Sequence, residues 1–299
     1  MTGWIPYKLI PGNGQPLCRW LQIKDSPFSD PFFADTISKC MSNGVHHYHS
    51  VSTVNLLPAL ANDIDPVEPS AFIFHISRCG STLLSQLLDI NPNHIVLSEV
   101  PFFDELLRGN IPELRSAIQF YGQKRTGHET HLFIKTDSWH VCFYKTLREL
   151  YPSVPFILLY RDPREVIRSQ QKKRGMQAVP GVIEAEIFGF KNEPVTDLDV
   201  YMANVVERYL TLFDEIINTD ERALLVNYNQ GMMNVAEDVA AFTGLDLSNE
   251  EREKMETRCQ YNAKYPEQIF SEAAIDTAPP PYLQKCMELY ERLEKMRTL

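Results

Sequence analysis

The sequence predicts an α/β fold in which a central, mainly parallel β-sheet is flanked by helices. Three observations carry that expectation. From Ala71 onward, short apolar runs of strand length alternate with helical stretches, the pattern of successive βαβ units. The first run, Ala71-Phe72-Ile73-Phe74-His75-Ile76, reads as a buried strand that passes through a tight turn into a helix. The chain of 299 residues is also long enough for one large domain or two ordinary ones.

Taken in order, residues 1–70 read as a turn-rich apron packed on the core, with one short helix near Phe32–Met41. Residues 71–299 are expected to hold the α/β domain. Its first strand, Ala71–Ile76, is followed by the turn Ser77–Gly80 and a helix from Ser81 to Asp89. Further strands are expected at Ile95–Leu97, Leu132–Lys135, Pro155–Tyr160 and Ala223–Asn227. Helices fall between and after them, near 112–122, 139–150, 163–173, 197–218, 231–243 and 249–258. An irregular stretch from Gln260 to Pro281 precedes a last helix with Leu283, Met287, Tyr290 and Leu293 at helical spacing, read as a packing stripe. In such a sheet, ligands bind at the carboxyl ends of the strands.

Composition narrows the function classes. With 44% hydrophobic and 23% charged residues the chain is neither disordered nor fibrous. No apolar run approaches the ~20 residues of a membrane helix, so no membrane span is expected. Residues 1–30 hold Pro6, Pro11 and Pro16 and no apolar run, so no secretory leader is expected either, and the chain reads as a soluble cytoplasmic protein. A net charge of −10 argues against general nucleic-acid binding but leaves room for a small polyanion in a local basic pocket. The six cysteines are scattered, with no CxxC pair, which suits reduced thiols better than disulfides or zinc. His46-His47-Tyr48-His49 lacks a nearby carboxylate cluster and reads as a surface loop, so no metal is expected.

Two segments carry phosphate chemistry. In Ser77-Arg78-Cys79-Gly80-Ser81-Thr82 a strand turns into a helix, whose first amides and dipole attract an anion. Gly80 permits close backbone approach, Ser81 and Thr82 add hydroxyls, and Arg78 adds a permanent charge. A nucleoside-triphosphatase loop would need Gly at His75 and Lys at Ser81, and has neither. The second segment, Phe156 to Ser169, is a strand ending in Arg161 followed by a helix with Pro163 in its first turn. Arg161 and Ser169 together suit a second phosphate.

These two segments resemble the sulfotransferases that use 3′-phosphoadenosine 5′-phosphosulfate, most of all tyrosylprotein sulfotransferases and their bacterial relatives. The family's Pro-Arg-Ser-Gly-Thr-Thr loop for the 5′-phosphosulfate corresponds to Ser77-Arg78-Cys79-Gly80-Ser81-Thr82, and its 3′-phosphate pair to Arg161 and Ser169. Phe133-Ile134-Lys135-Thr136-Asp137 resembles a further family segment, and Tyr228 stands where the family has an adenine-contacting aromatic. The cytosolic type has Lys where Arg78 stands and a catalytic His where Asp137 stands. Glu99 matches the spacing of the tyrosylprotein type's catalytic Glu. Ala263-Lys264-Tyr265 corresponds loosely to a late Ser-Lys-Trp that closes over the cofactor. The resemblance covers roughly residues 71–245 and implies a three-layer P-loop-type fold.

It also implies in-line sulfuryl transfer from 3′-phosphoadenosine 5′-phosphosulfate to a hydroxyl, or less readily an amine, with adenosine 3′,5′-bisphosphate as product and no metal. Catalysis then rests on positioning and charge. Arg78 and Lys135 are the cations, Glu99 the base by resemblance and spacing, Asp137 its competitor and His140 a third choice. The cofactor set is Arg78, Cys79, Gly80, Ser81, Thr82, Arg161, Ser169, Tyr228 and Lys264. Two other readings stay open: a kinase-like nucleotide enzyme, and a non-catalytic nucleotide-binding protein. The acceptor, a small molecule or a peptidyl hydroxyl, is left to residues 100–112, 175–196 and 260–281. Phe102, Phe103, Ile187, Phe188 and Phe190 either line an apolar pocket there or bury the loops.

Overall fold

Residues expected as turns form a small antiparallel sheet: β1 (Trp4–Ile10), β2 (Leu17–Gln22) and β3 (Val51–Thr53), in that order. The computed structural model describes residues 2–23, 28–42, 50–191, 194–264, 267–269, 275 and 277–298. β1 holds Pro6, which lacks an amide donor, and β1 lies at the edge of its sheet, where proline is tolerated. The register slips between Pro6 and Lys8, so β1 has no clean two-residue alternation in its sequence. The helix expected near Phe32–Met41 spans Phe33–Ser42.

The five runs expected as strands of a parallel sheet are β4 (Pro69–His75), β5 (His94–Ser98), β6 (His131–Lys135), β7 (Phe156–Tyr160) and β8 (Ala223–Asn227). They form one parallel sheet in the order β5-β6-β4-β7-β8. Every residue of β5 and β7 is buried, which explains the unbroken apolar runs Ile95–Leu97 and Phe156–Tyr160. β4 has β6 on one side and β7 on the other. Its carboxyl end is therefore a topological switch point, where open α/β sheets place their ligands.

Two compact units divide the chain. Residues 1–72 and 85–137 make the first, residues 73–84 and 138–299 the second. In the first, Trp20 meets Phe120 edge-on at 4.8 Å, and the buried Tyr121 hydroxyl donates to the Pro6 carbonyl. The helix Pro101–Arg108, in a stretch expected as a loop, buries Phe102, Phe103, Leu106 and Leu107 along one face. In the second, the last helix spans Gln284–Arg297 and buries Cys286, Leu289 and Leu293. Leu283 and Leu293 are buried as expected, while Cys286, whose thiol donates to the Ala203 carbonyl, and Leu289 are buried between them and Met287 and Tyr290 are only half-buried. Among the described residues no helix is long and apolar enough to cross a membrane. None of the six cysteines, all among the described residues, is in a disulfide, and burial pushes the thiols of Cys142 and Cys286 up to about 11 and about 12.

Candidate active site

Each strand of the parallel sheet ends at, or is followed within three residues by, a side chain from the predicted set: Arg78, Glu99, Lys135, Arg161 and Tyr228. The second unit carries the loop expected to hold a phosphate. Ser77, Arg78 and Gly80 all adopt left-handed backbone, with φ of 65°, 51° and 85°. For the two residues with side chains this conformation costs about 1–3 kcal/mol each and persists only where neighbours impose it. Here they do. The Ser77 amide donates to Nδ1 of His75 at 3.1 Å, and Ser77 Oγ accepts from Nε2 of Gln170 at 3.2 Å. The Arg78 guanidinium donates to the Lys173 carbonyl, and the Arg78 carbonyl accepts from Nη1 of Arg161 at 3.3 Å.

Cys79 is fully buried, and its thiol donates to the Leu159 carbonyl at 3.4 Å. Only its backbone is left to meet a ligand, which accounts for a small residue in this turn. Gly80 then opens the helix Ser81–Leu88, whose first-turn amides have no intrahelical acceptor. A Cβ on Gly80 would lie 2.5 Å from the Tyr228 ring, so glycine is required here by contact as well as by φ.

Arg161, at the end of β7, is 6% exposed. Its guanidinium lies 4.2 Å from the centre of the Tyr228 ring, and its Nε donates to Glu165 at 2.6 Å. Tyr228 therefore touches both the Ser77–Gly80 turn and Arg161, two motifs separated by some eighty residues of sequence. The following helix, Pro163–Lys172, starts as expected: Asp162 caps the Arg164 amide and Pro163 takes the first position. Ser169 is half-buried on this helix, one turn beyond Glu165 and so on the face that Arg161 contacts. Lys264 is exposed, with its amide bonded to the Asn262 side chain. Tyr265 and the histidines at 46, 47 and 49 lie outside the described residues.

The first unit brings Glu99 and Lys135 together. β5 and β6 pair in parallel register with Ser98 opposite Lys135, and the Glu99 amide donates to the Lys135 carbonyl at 2.8 Å. Glu99 has φ 54°, which turns its side chain back over the strand ends. Its Oε1 lies 2.9 Å from Nζ of Lys135, an ion pair whose angle falls outside hydrogen-bond geometry. Lys135 is fully buried whereas the Glu99 side chain keeps 22% of its surface open. The carboxylate thus keeps an open side while it contacts a buried ammonium.

Asp137 and His140 are both buried, at 6% and 2% exposure, and the His140 ring packs on Phe143. Phe102, Phe103 and Phe188 are buried too, Phe188 against Phe190 and Tyr209, while Ile187 and Phe190 are half-buried. The exposed apolar side chains of this part of the chain are instead Met176, Val179, Val182, Val195, Leu198 and Val200. Sequence reasoning passed over them because isolated apolar residues in a polar stretch carry no periodic signal. It also passed over Gln170, whose partner Ser77 is brought near by folding alone, and His75, which accepts from the Ser77 amide two residues on.

No protein-family model and no curated protein matches the chain. Solved structures do. The sulfotransferase domain from the curacin biosynthetic pathway superposes with a TM-score of 0.50 at 14% identity, covering 77% of this chain and 99% of that one. A sulfotransferase of Mycobacterium tuberculosis gives 0.45 at 15% identity over 67% and 73% of the two chains. A mouse sulfotransferase complexed with PAP gives 0.42 at 14% identity over 96% and 94%. At such identities the likeness to the first of these shows the fold: an α/β fold like that of the sulfotransferases.

Proposed function

We propose that this chain is a sulfotransferase that moves a sulfuryl group onto a hydroxyl, or less readily an amine, by in-line displacement. The observation that carries the reading is the cluster in the second unit, where Tyr228 packs on Gly80 and on Arg161, and Arg161 donates to the Arg78 carbonyl. An aromatic, a left-handed phosphate loop and a buried arginine suit an adenine, a 5′-phosphate and a 3′-phosphate. When bound, 3′-phosphoadenosine 5′-phosphosulfate supplies the sulfuryl group and leaves as adenosine 3′,5′-bisphosphate.

The chain's own residues then have distinct work. The first amides of helix Ser81–Leu88, with the hydroxyls of Ser81 and Thr82, hold the 5′-phosphate, and the loop Arg78-Cys79-Gly80 wraps it. Arg161 and Ser169 hold the 3′-phosphate, Tyr228 stacks on the adenine, and Lys264 is the late residue that closes over it. Glu99 accepts the acceptor's proton at a carboxylate oxygen, a contribution of about 10²–10⁴-fold for a positioned base. Lys135 and Arg78 offset the negative charge that builds on the departing phosphate, and Asp137 is the second candidate for the base. This chemistry calls for no metal. Residues 1–70 serve as an apron to the α/β domain of residues 71–299, within the cytoplasm.

The test is a thermal-shift comparison of adenosine 3′,5′-bisphosphate with ADP, ATP and Mg²⁺-ATP. A ligand at 100 times its Kd stabilises by about 2.7 kcal/mol. A shift with the bisphosphate and little with ADP is the expected result. A preference for Mg²⁺-ATP would replace this reading with a kinase-like one, and tight bisphosphate binding without turnover on any hydroxyl would leave a nucleotide-binding protein.

A further inference from the structure

We propose that Gln170 is a positioning residue of the donor site, holding the Ser77-Arg78 turn in its left-handed form. The inference rests on the sulfotransferase reading for the identity of the ligand, but not for the geometry. Gln170 is fully buried on the helix Pro163–Lys172, next to Ser169. Its Nε2 donates to Ser77 Oγ at 3.2 Å and its Oε1 accepts from the Gly175 amide at 2.8 Å. Both ends of one amide are thus used, and each partner is itself constrained. Ser77 also donates its amide to His75, and Gly175 is hemmed in by the Gln177 side chain, 2.7 Å from where a Cβ would stand.

The consequence follows from strain. Two consecutive residues with side chains at positive φ revert to ordinary backbone when their neighbours let go. Reversion would turn the Arg78 guanidinium and the loop amides away from an anion. Lys173, whose carbonyl receives the Arg78 guanidinium, lies between Gln170 and Gly175, so the same bridge that fixes Ser77 fixes the turn that anchors Arg78. Gln170 meets no ligand itself and acts through Ser77 and Arg78.

The experiment is a double-mutant cycle of Gln170→Leu and Ser77→Ala, with Gln170→Glu as the conservative variant. Two readouts are taken: amide hydrogen exchange across residues 76–83 in the unliganded protein, and Kd for adenosine 3′,5′-bisphosphate. Leu keeps the bulk of the side chain but neither bond, and the expected result is at least tenfold faster exchange in this loop with about tenfold weaker binding. The double variant should bind no worse than Gln170→Leu alone, because both substitutions break one connection. Glu keeps the acceptor for Gly175 and can accept from the Ser77 hydroxyl, so its loop should exchange as in the unaltered chain. Unchanged loop exchange and unchanged Kd in Gln170→Leu would overturn the inference while leaving the sulfotransferase reading intact; effects that multiply in the double variant would do the same. Faster loop exchange in a protein that binds no bisphosphate at all would remove the ligand and keep the strut. A loss of melting temperature in Gln170→Leu with normal loop exchange would reduce Gln170 to a packing residue and also overturn it.

Discussion

Glu99 and Lys135 are held to each other twice, by an amide-to-carbonyl bond of 2.8 Å and by a carboxylate–ammonium contact of 2.9 Å. The first bond continues the β5–β6 ladder one residue beyond the strands, and the second uses the side chains that this extra residue brings back over the strand ends. The base and the cation of the proposed reaction are therefore one rigid element. Such preorganisation is the usual source of electrostatic catalysis, since the charges need not reorient as the reaction proceeds.

Glu99→Gln keeps the shape and the amide bond while removing the proposed proton acceptor. Turnover of donor against a panel of phenols and alcohols should fall by about 10²–10⁴-fold. Kd for adenosine 3′,5′-bisphosphate should stay within a few-fold, since Glu99 is not among the residues proposed to hold the nucleotide. Undiminished turnover would transfer the role to Asp137.

Arg161→Ala removes the proposed charge-assisted partner of the 3′-phosphate and the cation that lies on Tyr228. Bisphosphate affinity, measured by calorimetry, should drop by about 1.5–3 kcal/mol. The preference for the bisphosphate over ADP should collapse at the same time. Equal losses for the two nucleotides would mean that Arg161 supports the loop through the Arg78 carbonyl rather than reading the 3′-phosphate.

Gly80→Ala and Gly127→Ala separate conformational strain from contact. Both glycines have φ of 85°, but a Cβ on Gly127 meets nothing within 4 Å while one on Gly80 meets Tyr228 at 2.5 Å. Chemical denaturation should show a cost of about 1 kcal/mol for Gly127→Ala. The cost for Gly80→Ala should exceed it by a further 1–3 kcal/mol or so, the usual penalty of overpacking. Similar costs at the two sites would show that the Tyr228 ring yields freely.

Asp89 and Glu129, both in the first unit, set opposite slopes of stability against pH. Burial pushes the Asp89 carboxyl from 3.8 up to about 7, against the pull of Arg125. The folded state then holds a proton that the unfolded chain has released, so stability falls as pH rises from about 4 to 7. At Glu129 burial also pushes upward, but hydrogen bonds from the backbone amides of residues 125–127 overcome it and hold the carboxyl at about 2. That group contributes stability above about 4.5, lost as pH falls toward 2. Asp89→Asn should therefore stabilise the protein at neutral pH by about 2–4 kcal/mol and flatten its profile between pH 4 and 7. A variant whose denaturation midpoint follows the unaltered protein at every pH would rule this out.

Much of the site was legible because its residues sit at ends of local elements. A strand is announced by its own apolar run, and Arg161 and Lys135 stand at run ends; Asp162-Pro163 marks a helix start wherever it occurs. Glu99 was reached by resemblance and spacing, and its pairing with Lys135 came only with the register of β5 on β6. The helix Pro101–Arg108 has a legible signature, Pro in the first turn and Phe102, Phe103, Leu106 and Leu107 on one face, within a stretch expected as a loop. β1 was hidden by Pro6 and by its register slip, which remove the alternation that identifies a strand.

The sequence by itself determined the alternation of strands and helices in residues 71–299, the order of the chemical motifs along them, and the strand ends at which they stand. These follow from periodicity and from terminal residues, which act over a few positions of chain. Tertiary structure decided the rest: the left-handed backbone of Ser77, Arg78 and Glu99, the union of Glu99 with Lys135, the contact of Tyr228 with Gly80 and Arg161, and the bridge made by Gln170. Residues with side chains leave the left-handed region unless something distant holds them there, and a bond between residues 77 and 170 has no trace in either segment alone.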